Sequence, residues 1–378
     1  MLGLAGDIVA VVLGIAVVAR VLISAVQTFV LPRGAPDRLT GVVFTTVRRV
    51  LRWALRRSTS YAERDRVMAY FAPTSLLILP VVWLSGVLLG YGLLFWGAGI
   101  HDPGLDLTIS GSSLLTLGIA SGGTGGASAL TFSEAAIGLT LAALLIAYLP
   151  TMYSAFSRRE AAVTSLETRA GSPPTVTKML VRLWRIGELD DLRDFWITWE
   201  AWFYDIQESH TSLAPLIFYR SPQADRSWVT AAGCVLDTAA MVSSTLDRPR
   251  DPRAELCIRG GYITLRRIAD LFQIAYDPDP ASSAPTTIAR EEYDAVCDDL
   301  AAAGIPLKPD RDATWLAFNG WRVNYDAVLV ALAMLTMAPN AQWSTDRVRG
   351  AGDLPQLRWD RARWSNDNKR RGRGPDQT

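Results

Sequence analysis

Histidine and cysteine are scarce in this chain of 378 residues, with two and three copies respectively. The cysteines, Cys234, Cys257 and Cys297, have neither CxxC spacing nor a histidine pattern beside them, so we expect reduced, buried thiols. Signatures of the HExxH, P-loop and Ser-His-Asp types are missing, and the hydrophobic segments lack the paired carboxylates, histidines or cysteines that catalysis inside a membrane needs. The sequence therefore predicts no enzyme, no metal site and no cofactor.

An excess of charge of one sign is also lacking, because the formal net charge is +1. This balance predicts no nucleic-acid partner. The one strongly basic run, at 369–373, is short and flanked by glycine and proline. We predict a disordered basic tail over 346–378, which either meets anionic lipid headgroups or is simply solvated.

Hydrophobic residues are concentrated in the first 157 residues, where three segments cover about 4–31, 69–98 and 134–156. Each exceeds the ~20 residues that a helix needs to cross the hydrocarbon core of a bilayer. The first segment does not resemble a cleaved signal peptide, because Asp7 replaces the basic region and no small-residue cleavage site follows. Three transmembrane helices are therefore predicted.

Arginine is distributed unevenly around these segments. Nine arginines lie between the first and second segments, at 33, 38, 48, 49, 52, 56, 57, 64 and 66, and Arg158 and Arg159 follow the third. Residues 99–133 contain neither arginine nor lysine. The positive-inside rule then predicts a multi-pass protein of the inner (plasma) membrane with its N-terminus outside and its C-terminal half in the cytoplasm.

The arginine-rich segment also predicts an amphipathic helix at the membrane interface. Apolar residues recur at helical spacing on one face, and arginines occupy the other. This helix either couples cytoplasmic movement to a gate or only anchors the topology. Together with the first transmembrane helix it forms a predicted region over 1–68.

The segment between the second and third hydrophobic segments predicts a re-entrant pore loop. Residues 105–115 form a short amphipathic helix after Asp102, and 122–126 form a glycine-rich return. Irregular backbone at membrane depth is tolerated only where it is buried in protein or lines a water-filled cavity, and its carbonyl oxygens can replace the hydration shell of an ion. We predict a selectivity filter formed by Thr116, Leu117, Gly118, Ile119 and Ala120. The alternative is an ordinary extracellular loop rich in glycine and serine.

The third segment predicts the inner helix that lines the pore, with Gly138, Tyr148 and Pro150 as pore and gate residues. Gly138 permits a close approach or a bend, and Pro150 removes a helix hydrogen bond near the cytoplasmic end. A gate at Pro150 and a passive kink there are both open. The outer helix, pore loop and inner helix make up a predicted region over 69–170.

Arg20 lies near the middle of the first segment, where a bare cation would cost ~2.5–3.5 kcal/mol. It should face protein or water, with the carbonyls at the end of the pore helix, Gln27 or Asp7 as its partner. We predict that Arg20 supports the pore. The alternative is that it lies closer to the membrane interface than these limits imply.

Residues 69–157 resemble the two-transmembrane pore module of the potassium-channel family. The positions of that family's Thr-Val-Gly-Tyr-Gly motif are taken here by Thr116, Leu117, Gly118, Ile119 and Ala120. The resemblance implies a cation pore. One loop per chain requires several copies around an axis, so a homotetramer is expected. Because Ile119, Ala120 and Ser121 depart from the family pattern, a potassium-selective pore and a weakly selective pore for monovalent cations stay as alternatives.

The C-terminal half predicts a cytoplasmic helical domain over 175–345. Apolar residues recur at spacings of three and four near 175–186, 189–209, 228–246, 253–276, 288–303 and 323–337. Alternating strands and a GxGxxG motif are missing, so a Rossmann-like nucleotide-sensing domain is not predicted. Gly171 is expected to end a cytoplasmic extension of the inner helix.

Two groups of polar residues in this half admit a functional interpretation. Asp205, Glu208 and His210 carry metal-ligand chemistry, but His210 turns off the face that the other two share, which favours a histidine that caps a helix or lies in the core. Arg220 and Arg226 lie in a loop before a helix and either receive an anionic ligand or pair with nearby carboxylates, the second being the simpler interpretation.

The sequence thus predicts an all-α membrane protein with three transmembrane helices, a re-entrant pore loop between the second and third, and a cytoplasmic α-helical domain. The predicted function is a cation channel in the lipid bilayer that its cytoplasmic domain gates or assembles, with an unidentified cytoplasmic ligand or protein as a further partner. The rival is a membrane-anchored sensor or interaction protein whose helical domain binds a partner.

Overall fold

The computed structural model describes residues 2–29, 31, 37–55, 61–121 and 125–347. The helices are α1 (Leu2–Phe29), α2 (Arg38–Ala54), α3 (Tyr61–Ala69), α4 (Phe71–Gly97), α5 (Pro103–Leu114), α6 (Gly126–Ala170), α7 (Val176–Arg185), α8 (Arg193–Ser212), α9 (Trp228–Ser244), α10 (Pro252–Leu271), α11 (Arg290–Ala302), α12 (Arg311–Arg322) and α13 (Asp326–Thr336). Short 3₁₀ helices cover Ala214–Phe218 and Thr345–Arg347. The described residues form no β-strand, which confirms the all-α class.

Three helical stretches among the described residues are long and apolar enough to cross a membrane, namely Leu4–Phe29, Tyr61–Gly97 and Gly126–Ala170. The three predicted hydrophobic segments are therefore confirmed as helices of membrane-spanning length. The last of these helices is far longer than its hydrophobic segment, because it continues without a break to Ala170 and ends at Gly171, whose φ of 79° suits glycine.

The chain divides into two compact units. The described residues of the first unit lie within Met1–Trp53 and Phe71–Tyr153, and those of the second within Ala54–Tyr70 and Ser154–Arg358. The long helix α6 therefore contributes its first part to one unit and its last part to the other. The predicted basic tail, apart from residues 346 and 347, lies outside the described residues.

Glycines in α4 receive the side chains of α1 in the first unit. A Cβ added to Gly86 would lie 2.6 Å from Val21, and one added to Gly90 would lie 2.6 Å from Val18. Gly97 in the same way leaves room for Val11. Since lipid tails are as apolar as the helices, such close contact between backbones is a main source of association in a membrane. The two helices form one tightly packed pair.

The predicted amphipathic helix is present as α2. Its apolar side buries Val43, Phe44 and Val47, and the Phe44 ring meets Phe71 edge to face at 5.8 Å between centroids. Arg49 is exposed on another side of the helix. The sequence pattern is matched only in part, because Arg48 is buried and the apolar residues Val42 and Val50 are exposed.

A buried ionic network organises the second unit. The guanidinium of Arg322, which is fully buried, donates to Asp237 at 2.7 and 2.8 Å and to Asp326 at 2.7 Å. Its remaining nitrogen donates to the Trp343 carbonyl at 2.6 Å, and the Tyr325 hydroxyl donates to Asp237 at 2.8 Å. These bonds join α9, α12 and α13. Breaking such a buried pair by removing one partner is strongly destabilising.

Candidate functional site

The short helix α5 begins at a built N-terminal cap. The Asp102 carboxylate accepts hydrogen bonds from the backbone N–H groups of Gly104 and Leu105 at 2.9 and 3.2 Å, and Pro103 occupies the first helical position. Both features are typical of helix starts. With 12 residues, α5 is about 18 Å long and too short to cross a hydrocarbon core of about 30 Å.

Polar contacts hold α5 against both long helices of the first unit. The Ser110 hydroxyl lies 3.0 Å from the Leu88 carbonyl of α4 and 2.5 Å from Oε1 of Glu134 in α6. Beside this contact, the hydroxyls of Tyr91 and Ser133 are 2.9 Å apart and join α4 to α6 directly. The helix α5 is therefore fixed between α4 and α6 through Ser110 and Glu134, which are both buried.

Glu134 is the residue of this site that the sequence did not single out. In the sequence it marks the start of the third hydrophobic segment. In the structure it is fully buried, and among the described residues its second carboxylate oxygen has no hydrogen-bond partner. The available signal was a carboxylate inside a helix of membrane-spanning length, since such residues face protein or water and are rarely without a role.

The end of α5 turns sharply through a left-handed residue. The Thr116 N–H donates to the Ser113 carbonyl at 3.0 Å, and the Leu117 N–H donates to the Ser112 carbonyl at 2.8 Å. These two bonds form a Schellman motif, in which the left-handed position is usually glycine. Here that position is Thr116, with φ of 54°, a strained conformation for a β-branched residue.

The backbone after this turn folds back onto α5. The Ser112 hydroxyl donates to the Ala120 carbonyl at 2.9 Å and accepts from the Ala120 N–H at 3.0 Å. One buried side chain therefore holds both polar groups of Ala120 and closes residues 115–121, which we call the Thr116 loop. A second left-handed residue, Gly118 with φ of 72°, lies at its middle.

The Thr116 loop brings all five predicted filter residues together on one exposed turn. The side chains of Leu117 and Ile119 are 57% and 74% exposed in the single chain, and Leu115 is 56% exposed. No charged residue lies between 107 and 121. The described part of the loop is thus a tight, uncharged turn whose exposed side chains are mostly apolar. Its predicted glycine-rich return at 122–124 lies outside the described residues.

The three predicted pore and gate residues lie on different sides of α6. Gly138 lies so close to the Leu114 carbonyl that no side chain fits between them. Tyr148 is buried, with its ring 4.4 Å from that of Phe29 in α1. Pro150 is exposed on the opposite side of the helix, and α6 continues through it. Gly138 and Tyr148 are packing positions in one chain, and Pro150 belongs to the free surface.

Arg20 pairs with Asp37, which is not among the partners predicted for it. Its guanidinium donates to Asp37, just before α2, at 2.6 Å, whereas Asp7 instead contacts His101 at 2.9 Å. Burial raises the pKa of Asp37, but hydrogen bonds from Ser24, from Thr40 and from Arg20 outweigh it and hold the pKa below its ordinary value. The ion pair joins α1 to the residue just before α2.

The second unit buries the predicted core histidine beside a buried arginine. Arg159 donates to the Leu216 and Tyr219 carbonyls at 2.9 and 2.7 Å and pairs with Glu160 at 2.8 Å. Its Nη1 also lies 3.4 Å from His210 Nε2. Because arginine can only donate, this nitrogen accepts and the imidazole is neutral. Burial, and then the Arg159 charge, hold the pKa of His210 well below its ordinary value.

Arg220 and Arg226 both have carboxylate partners, as the simpler interpretation of the sequence predicted. Arg220 pairs with Asp65 of α3, and Arg226 pairs with Glu167 of α6. Among the described residues, no group of three or more histidine, cysteine, aspartate or glutamate side chains is placed to hold a metal ion.

Comparison of the chain with protein-family models, with curated proteins and with solved structures gives no match in any of the three.

Proposed function

We propose that this protein is a pore-loop ion channel for monovalent cations, either potassium-selective or weakly selective. The observation that carries the proposal is the Thr116 loop, which Ser112 holds against the end of α5 while its apolar residues stay exposed. A backbone turn of this kind fits a place where several copies meet around an axis and present carbonyl oxygens to an ion. One chain supplies one loop, so the proposed assembly is a homotetramer.

The direction of α5 favours a cation. Its C-terminal end, which carries partial negative charge, lies next to the Thr116 loop, and residues 99–133 contain neither arginine nor lysine. The proposed orientation places the first unit in the inner membrane. The N-terminus is then outside the cell, and the second unit is in the cytoplasm. This orientation rests on the arginine distribution.

In this proposal the residues of α6 divide between two roles. Gly138 and Tyr148 set the packing of α6 against α5 and α1, and the exposed face that includes Pro150 borders the passage. Arg20 supports the pore indirectly, through the ion pair that fixes α1 to α2. The second unit gates or assembles the channel through α6, which belongs to both units.

Cation flux into liposomes tests this function. We expect flux from the full chain and loss of flux in Gly118→Asp, which puts a carboxylate into the middle of the loop. The matched control is Gly99→Asp, because Gly99 also has a positive φ and open space around it but lies outside the loop. Native mass spectrometry should show a tetramer. A monomer without flux would contradict the proposal and favour a membrane-anchored interaction protein.

A further inference from the structure

An apolar groove in the first unit lies between α2 and the start of α4. It has a volume of about 420 Å³, which is the size of an ordinary ligand pocket. Seven of its lining residues come from α2, and the other three, Thr74, Ile78 and Val82, come from α4. We call it the α2–α4 groove. Its lining consists of valine, leucine, isoleucine and threonine without any charged side chain, so it favours a hydrocarbon chain over a polar ligand.

The α2–α4 groove opens at the edge of the membrane. Its residues Val42 and Val50 are 61% and 59% exposed, and Ile78 is 37% exposed. The helix α4 belongs to one of the three stretches of membrane-spanning length, and α2 precedes its start. An amphipathic helix in this position buries its exposed apolar side at the boundary between headgroups and acyl chains. Trp53 at the end of α2 is 66% exposed and fits the same depth.

Arginines border the groove on the side of α2. Arg49 follows Val42 by seven residues and Thr46 by three, so the three lie on one side of the helix. Arg49 and Arg52 are exposed, and neither has a carboxylate partner among the described residues. Burial, and then the charge of Arg52, lower the pKa of Arg48 to about 10. Positive charges therefore repel each other along this part of α2, and a negative group from outside the chain would relieve the repulsion.

An anionic phospholipid matches both features at once. A soluble anion would leave the groove empty, and a lipid without net charge would leave Arg49 and Arg52 without a counter-charge. A second copy that docked here through its own α2 would bring arginines against arginines, which is unfavourable. Basic clusters on amphipathic helices beside a transmembrane helix are typical sites for acidic lipids.

We propose that the α2–α4 groove binds one phospholipid with an anionic headgroup, such as phosphatidylglycerol, from the cytoplasmic leaflet. One acyl chain lies in the groove against Val42, Val50 and Ile78, and the phosphate lies at Arg49 and Arg52. The bound lipid fills the space between α2 and α4. The choice of leaflet rests on the proposed orientation of the chain, whereas lipid binding does not depend on ion conduction and is measured without flux.

Photolabelling of the full wild-type chain in nanodiscs tests the site without a variant. Phosphatidylglycerol with a photoreactive acyl chain is added to phosphatidylcholine nanodiscs, and the labelled peptides are mapped by mass spectrometry. We expect labels concentrated in residues 39–51 and 74–82, and unlabelled phosphatidylglycerol should compete about tenfold better than phosphatidylcholine. Even labelling of exposed apolar residues elsewhere, such as Ile8 and Phe132, would overturn the proposal. Equal competition by the two lipids would overturn it as well, because the arginines would then not select the headgroup.

A charge variant tests the headgroup contact. Native mass spectrometry of the chain titrated with phosphatidylglycerol should show affinity about tenfold lower or more when Arg49→Gln and Arg52→Gln are combined. The matched control combines Arg185→Gln with Arg193→Gln, which removes the same charge from two exposed arginines of the second unit. Equal affinity in the two double variants would contradict a headgroup site at α2.

A groove-filling variant tests the acyl-chain contact. Ile78→Trp places an indole in the groove and should reduce its photolabelling several-fold. Leu77→Trp is the matched control, because Leu77 is the next residue of the same helix, is exposed and does not line the groove. Unchanged labelling in Ile78→Trp would overturn the proposal. A change of oligomeric state in Ile78→Trp, with no labelling of the groove in the wild type, would instead assign the groove to contact between copies of the chain.

Discussion

Gly138 of α6 and the carbonyl oxygen of Leu114 at the end of α5 are in direct contact, with no room for a Cβ between them. Replacing Gly138 by alanine should push α6 away from α5 and destabilise the fold by about 1–3 kcal/mol, as overpacking does. Thermal unfolding measures this effect, and liposome flux should fall with it.

Gly126→Ala is the control for that substitution, since a Cβ at Gly126 meets nothing within 4 Å and the residue lies in the same helix. It should be neutral or slightly stabilising, because alanine is the better helix former. Equal losses in both variants would show that the Gly138 contact does not determine the packing.

Substitutions at Ser112 and Ser113 distinguish a contact that holds the Thr116 loop from a contact within α5. Both are buried, but the Ser112 hydroxyl binds Ala120, whereas the Ser113 hydroxyl binds only the Ile109 carbonyl of its own helix. Ser112→Ala should leave the two backbone groups of Ala120 unpaired and speed hydrogen exchange in the Thr116 loop by roughly tenfold or more. Ser113→Ala should change it little. Equal hydrogen exchange in the two variants would contradict the role of Ser112 in holding the Thr116 loop.

Thr116 and Gly118 should respond to substitution with opposite signs. Thr116→Gly removes the cost of a β-branched residue in left-handed backbone and should stabilise the fold by about 1 kcal/mol. Gly118→Ala places a Cβ in the same region of backbone space and should destabilise it by a similar amount, although nothing lies within 4 Å. Chemical unfolding of both variants measures the two effects. A loss of stability in Thr116→Gly would mean that the threonine side chain contributes more than its strain costs.

His210 gives the second unit a pH dependence. The pKa of this buried imidazole is well below its ordinary value of 6.5, so below pH 6.5 the unfolded chain binds a proton that the folded chain does not. Stability from this group is therefore fully present above pH 6.5 and falls as the pH decreases, by up to about 1.4 kcal/mol per pH unit.

Thermal unfolding at pH 7.5, 6.5 and 5.5 should show this loss in the wild type and a flatter profile in His210→Gln. The comparison uses the slope, so a lower overall stability of the variant does not affect it. Parallel profiles would assign the pH dependence to other groups.

Much of the architecture follows from local patterns in the sequence. The three hydrophobic segments are helices, and the helix predicted at 105–115 occupies Pro103–Leu114 because Asp102 caps it. The helix α12 was missed, since only 323–337 was expected to be helical at that end of the chain. The charged residues at both ends of α12 and Gly320 inside it weaken its pattern, and its burial of Phe318 depends on neighbours distant in sequence.

The contacts of the candidate site were less predictable than its position. The uncharged stretch after the predicted helix indicates a loop at Thr116 to Ala120, but a threonine in left-handed backbone contradicts its intrinsic preference, and only tertiary contacts can impose it. The pairing of Arg20 with Asp37 and of Ser110 with Glu134 likewise joins residues 17 and 24 positions apart, which no helical or strand period brings together.

The valine and glycine contacts between α1 and α4 have a consequence for biosynthesis. Gly86, Gly90 and Gly97, together with their partners in α1, are all synthesised before α5 begins at Pro103. The pair can therefore assemble in the bilayer while the rest of the chain is still on the ribosome. The side of α4 that receives Ser110 and the end of α5 is then already oriented when those residues emerge. A bulky residue at Gly90 would therefore disturb the protein already at membrane insertion, before the Thr116 loop has been synthesised.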